Sequence, residues 1–180
     1  IATDQRCQRE RYLSREAGGH GGWVPNRVEE AYEIGLRIHA GLEAFFAAEV
    51  AEARLSAALS AVRTSAFTEP WQTWIEASLT AWATRVWPEL NTRYKILMVE
   101  RMLRFENDGV IYKVKPDLVL EDTTDSTVWI MDFKSYSWWD NKKWVRDLQM
   151  QLGCMAVEAA TGREVAGTII QGIYKGVTRG

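Results

Sequence analysis

The segment Lys115-Pro-Asp-Leu-Val-Leu-Glu-Asp-Thr-Thr-Asp-Ser-Thr-Val-Trp-Ile-Met-Asp-Phe-Lys134 alternates as a β-hairpin does, and that alternation fixes where its charges fall. Apolar runs at 118–120 and 128–133 flank the polar stretch 123–127, the pattern of two antiparallel strands joined by a turn. A turn centred between Thr124 and Asp125 sets Asp117 opposite Asp132, with Cβ atoms roughly 4.5–5.5 Å apart. Lys134, two residues on, shares the face of Asp132. Leu118, Leu120, Trp129, Met131 and Phe133 take the other face and the core. Two facing carboxylates repel unless a cation lies between them, and hard oxygen ligands of this kind suit Mg²⁺ or Mn²⁺. The hairpin alone outlines a divalent-metal site.

Pro116-Asp117 followed after a short hairpin by Asp132-Phe133-Lys134 resembles the motif of the PD-(D/E)XK nuclease superfamily. In that superfamily two acids bind metal and the lysine assists the attacking water. Downstream, 147–158 reads as a helix and resembles the glutamine-bearing helix of the RecB-like branch. Gln151 and Leu152 match, and Met155 stands where the usual tyrosine would be. Upstream, Gly35-Leu-Arg-Ile-His-Ala-Gly-Leu-Glu43 resembles the histidine-bearing helix of the same branch, with His39 the match.

The resemblance spans most of the chain and implies an α/β fold in α+β order. Its core is restriction-endonuclease-like, a mixed sheet of about four strands flanked by helices, with an N-terminal helical region. It implies metal ligation by His39, Asp117, Asp132 and the backbone carbonyl of Phe133. Glu100, which ends the apolar run 96–99, is a further candidate ligand. Asp117, Asp132, Lys134 and Gln151 are the implied catalytic residues, Gln151 orienting substrate or the lysine. The implied activity is Mg²⁺- or Mn²⁺-dependent hydrolysis of DNA phosphodiester bonds, with exonucleolytic attack on ends as in RecB-like and phage exonucleases. A recombination or helicase partner fits such a role. The alternative is a non-catalytic nucleic-acid-binding or scaffolding subunit that keeps the fold. Ordinary structural readings also stand: Asp117 as a turn start, Lys134 as a solvated strand end, His39 as a surface imidazole, Gln151 as a bridge within its helix, and Glu100 as a strand edge.

At 180 residues, 47% apolar and 26% charged, the chain suits one domain with a real core. The expected division is a helical region, 1–92, packed on an α/β core, 93–180, in one compact domain. No apolar stretch approaches the roughly 18–20 residues that span a bilayer, and no signal segment opens the chain. The expected location is the cytoplasm of a bacterial or phage-infected cell, and the Ile start leaves room for a lost leader. Cys7 and Cys154 cannot make a four-cysteine cluster. Cys7-Gln-Arg-Glu-Arg-Tyr-Leu resembles half of the pattern that holds iron–sulfur clusters in some RecB-like nucleases, but no such cluster is expected here.

A net charge of −2 gives no global attraction for polyanions, so DNA contact must rest on local patches. Candidates are Arg6, Arg9, Arg11 and Arg15, and, just past the catalytic strand, Lys142, Lys143 and Arg146. Trp138 and Trp139 lie in a loop beyond Lys134. They either stack on unpaired bases, at about 1–3 kcal/mol each, or tuck the loop onto the core. Helices are expected over 1–17, over 27–63 with Asn26 as cap, from Glu69 to just before Pro88, and over 141–160. The apolar stripe of the second is Ile34, Ile38, Leu42, Phe45, Phe46, Val50, Leu55 and Leu59. Trp71, Trp74, Trp82 and Trp87 fall on one buried helical face, and 18–22 reads as a glycine-rich loop. Strands are expected over 93–106, 110–121, 127–135 and 165–175, with Asn107-Asp108-Gly109 as a hairpin turn.

Overall fold

A computed structural model of the chain describes residues 30–63, 69–136 and 147–174. The expected helix 1–17, the loop 18–22 and the Asn26 cap lie outside the described residues, as do Cys7, Arg6, Arg9, Arg11, Arg15, Trp138, Trp139, Lys142, Lys143 and Arg146. The chain divides after Glu33, and the larger unit begins at Ile34.

Apolar spacing builds the first layer. Helix α1 (Glu30–Ala47) buries Ile34, Ile38, Leu42, Phe45 and Phe46, the stripe that 3.6-residue periodicity requires. The single helix expected through 63 is interrupted, because Val50 is extended (φ −88°, ψ 122°) and 59% exposed. After the break, α2 (Arg54–Val62) turns Ala58 and Val62 into the same core. Arg54 reaches back to lie 5.9 and 5.5 Å from the ring centres of Phe45 and Trp87.

Helix α3 (Glu69–Ala81) follows, and α1 approaches both α2 and α3 at Gly41. A Cβ there would stand 2.8 Å from Val62 Cγ1 and 2.6 Å from Leu79 Cδ1, so a side chain at this position would have to displace those two. The expected stop before Pro88 does not occur. The chain instead passes through a π-turn, Trp82–Val86, into α4 (Trp87–Arg93). The Trp87 N–H donates to the Trp82 carbonyl, five residues back. That wider turn restarts the ladder, so Pro88 falls in the first turn of α4, where its missing N–H is tolerated. Trp82 and Trp87 are buried in edge-to-face contact with Phe45 and Phe46, and Trp82 also meets Phe133. Trp71 and Trp74 pack, partly buried, against the same core.

The strands are β1 (Tyr94–Val99), β2 (Leu103–Asn107), β3 (Val110–Val114), β4 (Leu118–Asp122), β5 (Val128–Tyr136) and β6 (Val165–Tyr174), with helix α5 (Leu148–Thr161) before the last. Two expected strands, 93–106 and 110–121, are each split. One break falls at Glu100, whose φ is +45°. The other falls at Pro116, which has no N–H for a central ladder. The pieces beyond the breaks, β2 and β3, form a separate ribbon closed by Asp108 and Gly109 at φ 51° and 74°, the positive values of a type I′ turn. The main sheet has the order β1-β4-β5-β6. It is antiparallel except for the β5–β6 pair, which α5 connects. This is the mixed four-stranded α/β fold that the sequence implies.

Leu118 pairs with Met131 and Leu120 with Trp129, the register predicted from the alternation. Leu118, Leu120, Met131 and Phe133 pack on the helical core. On the other face α5 comes close enough that a Cβ on Gly153 would lie 3.4 Å from Ile130 Cδ1. Asp147 caps α5 by accepting the Gln149 N–H at 2.8 Å. Among the described residues, no helix is long and apolar enough to cross a membrane.

Asp122 locks the end of β4. Its carboxylate accepts from the Thr124 hydroxyl at 2.6 Å, the Thr124 N–H at 2.9 Å and Arg93 Nε at 2.8 Å, which hold its pKa down to about 2. A folded value below the unfolded one of about 3.9 stabilises fully above that pH and ceases to do so as pH falls through the folded value. Asp122→Asn should therefore lose stability relative to wild type at neutral pH, with the gap closing between about pH 4 and about pH 2. Urea unfolding at stepped pH reads this, and a constant gap would contradict it.

Candidate metal centre

The site forms where the sheet splits. Continued from Leu118 and Met131, the β4–β5 register sets Asp117 against Asp132 and Pro116 against Phe133. Proline offers a strand neighbour no N–H, so the ladder stops here. The Asp117 side chain takes over, its Oδ2 accepting the Phe133 N–H at 2.6 Å. Within a strand the N–H and C=O of one residue point to the same edge, which turns the Phe133 carbonyl toward Asp117 as well.

Two further chain segments converge on Asp117. His39 projects from α1 and places Nδ1 3.5 Å from Asp117 Oδ1. Gly35, one turn earlier, seats α1 on β5, since a Cβ there would lie 3.2 Å from Ser135 Oγ. Glu100 leaves β1 with a left-handed backbone and donates its N–H to the Asp117 carbonyl at 2.9 Å. A glutamate at φ +45° is uncommon and strained, and here the strain accompanies convergence on the site. Ligand atoms of His39, Glu100 and Asp117 all lie within 4.8 Å of one another.

Asp132 lies beside this group but outside it. It is 3% exposed, and its Oδ2 is 2.5 Å from Lys134 Nζ. Burial pushes its pKa up to about 6, against the pull of Lys134. His39 is raised above its ordinary value, chiefly by its hydrogen bond to Asp117. Glu100 is raised by burial, which outweighs its hydrogen bond to Lys115.

Of the residues expected from sequence, the structure brings together His39, Glu100 and Asp117, with Asp132, Lys134 and the Phe133 backbone adjoining. Gln151 is exposed on α5, whereas Gln149 lines a small cleft with Lys115, Pro116, Asp132 and Gly153. Sequence reasoning missed two site members, Lys115 and Gln149. Lys115 was legible in principle, because residues two apart share a strand face and it stands two before Asp117. Gln149 had no such signal, since a choice between two exposed glutamines of one helix depends on how the helix is turned.

The donor set fits a hard divalent cation. It consists of an imidazole and carboxylate oxygens whose atoms all lie within 4.8 Å of one another, the donor types that such cations take. Charge agrees: Glu43, Glu100, Asp117 and Asp132 (four negative) against Lys115 and Lys134 (two positive) leave −2 with His39 neutral.

A search of curated proteins finds no match to this chain. A family model described as the PD-(D/E)XK nuclease superfamily matches residues 1–179. With that match over nearly the whole length, on the fold and acid–lysine arrangement just described, the chain belongs to the PD-(D/E)XK nuclease superfamily.

Proposed function

We propose that the protein is a divalent-metal-dependent deoxyribonuclease of the RecB-like branch that attacks DNA ends. The observation that carries this reading is the convergence of His39, Glu100 and Asp117 within 4.8 Å, beside the buried Asp132 and its partner Lys134. His39, Glu100 and Asp117 would hold the cation, with Asp132 and the Phe133 carbonyl completing its protein side. When bound, Mg²⁺ or Mn²⁺ supplies an acidified water and offsets charge on the phosphate.

Lys134 orients the attacking water and neutralises the phosphorane-like transition state, where a fixed donor acts more strongly than in bulk water. Asp132 keeps that ammonium in place, and Asp117 aligns His39. Gln149 of α5 would face substrate from the cleft beside Asp132, a place that Gln151, two residues on and turned away, does not share. Trp138, Trp139, Lys142, Lys143 and Arg146 follow the catalytic strand in sequence and would contact the flanking DNA. The divalent metal is the cofactor, with no iron–sulfur cluster. The protein would act in the cytoplasm, with a recombination or helicase partner.

End-labelled linear DNA and closed circular DNA, single- and double-stranded, incubated with Mn²⁺ or EDTA, test the reading. Loss of linear DNA alone, only with metal, is expected. Loss of circles as well would replace end-directed attack by endonucleolytic attack. Absence of cleavage on every substrate would favour the non-catalytic binding subunit.

A further inference from the structure

Glu100 is one of the three converging ligands, and its carboxylate is already engaged: Lys115 Nζ lies 2.6 Å from Glu100 Oε2. The pair is positioned by the two breaks that free the β2–β3 ribbon. Glu100 stands just after β1, at positive φ, and Lys115 just after β3, next to Pro116. The carboxylate end of the pair is sheltered and the ammonium end is open, with side chains 11% and 43% exposed. Lys115 also lines the cleft that holds Asp132 and Gln149. Glu43 adds negative charge nearby.

An ammonium and a divalent cation on one carboxylate weaken each other's hold, because like charges at such separations repel, and Lys115, 43% exposed against 20% for Lys134, is the ammonium with solvent to move into. We infer that Lys115 is an exchanging counter-cation: it neutralises Glu100 in the metal-free protein, yields that carboxylate when metal binds, and then meets a substrate phosphate in the cleft beside Asp132. The inference rests on the metal-dependent nuclease reading above. It makes Lys115 a positioning residue for metal loading and a contact for the DNA backbone.

The two halves predict opposite signs from one substitution. Lys115→Met removes the competitor and should tighten Mn²⁺ binding about 2- to 5-fold, as expected for releasing a half-exposed pair. It should also weaken DNA binding in the presence of Ca²⁺, and reduce its salt dependence by about one counterion. Lys115→Arg, which keeps the charge, should restore both values toward wild type. Mn²⁺ affinity is read on the full chain from free-ion electron paramagnetic resonance, and DNA affinity from fluorescence anisotropy.

Unchanged or weaker Mn²⁺ binding by a folded Lys115→Met protein would overturn the exchange while leaving the metal site standing. Tighter metal with unchanged DNA binding would overturn the phosphate contact. A wild-type chain that binds no Mn²⁺ would overturn both this inference and the reading beneath it.

Discussion

Lys134→Ala should lower phosphodiester cleavage by roughly 10²–10³-fold, the loss that follows removal of one fixed donor at a developing oxyanion, while Mn²⁺ affinity stays within about ten-fold of wild type. The separation follows from where the lysine is tied. Its ammonium sits 2.5 Å from Asp132 Oδ2, whereas the converging ligands are His39, Glu100 and Asp117. Without Lys134 and before metal binds, Asp132 keeps its burial and loses the cation that holds its pKa down, so a proton offsets its charge until Mn²⁺ displaces it. The variant therefore stays folded, with His39, Glu100 and Asp117 in place to take Mn²⁺. Single-turnover cleavage of end-labelled DNA at saturating Mn²⁺ measures the effect. Cleavage within ten-fold of wild type would remove Lys134 from the mechanism, and a parallel collapse of Mn²⁺ affinity would make it a support of the metal site instead.

Asp117 carries the second large effect, and two substitutions divide its roles. Its Oδ2 accepts the Phe133 N–H where Pro116 ends the ladder, and its Oδ1 faces His39. Asp117→Asn preserves an acceptor for the Phe133 N–H but removes the charge. Stability should change by no more than about 1 kcal/mol, whereas Mn²⁺ affinity should fall by more than the roughly 10–100-fold that outer partners of a metal ligand cost. Cleavage should disappear with it. Asp117→Ala should add a stability loss of about 1–3 kcal/mol, because the Phe133 N–H is then buried without an acceptor. The His39 pKa should fall in both variants, since its hydrogen bond to the Asp117 carboxylate is the first cause of its upward shift. Imidazole shifts in NMR titration check this directly. An Asn variant that binds Mn²⁺ as wild type does would remove Asp117 from the metal centre.

Much of the site was legible in the sequence because a strand has a period of two. Asp117 and Asp132 could be set opposite each other from alternation alone, and the observed Leu118–Met131 pairing has that register. The α1 stripe through Phe46 was equally plain. What escaped depended on backbone events that side-chain patterns do not encode. The positive φ of Glu100 and the missing N–H of Pro116 cut two expected strands into four and released a separate ribbon. Those same breaks swing Glu100 and Lys115 together. Glu100 was only a further candidate from its position after 96–99, yet it shares the ligand group with His39 and Asp117, while Asp132 pairs with Lys134 beside it. The π-turn at Trp82–Val86 escaped for a similar reason, because proline ordinarily ends a helix unless the ladder has been reset before it.

The most direct measurement is the anomalous difference density of crystals of the full chain soaked in Mn²⁺. A peak within about 2.0–2.4 Å of His39, Glu100 and Asp117 ligand atoms, with Lys115 withdrawn from Glu100, is the predicted result. A peak on unrelated residues, or none in a chain that still cleaves DNA, would contradict the metal centre assigned to these residues.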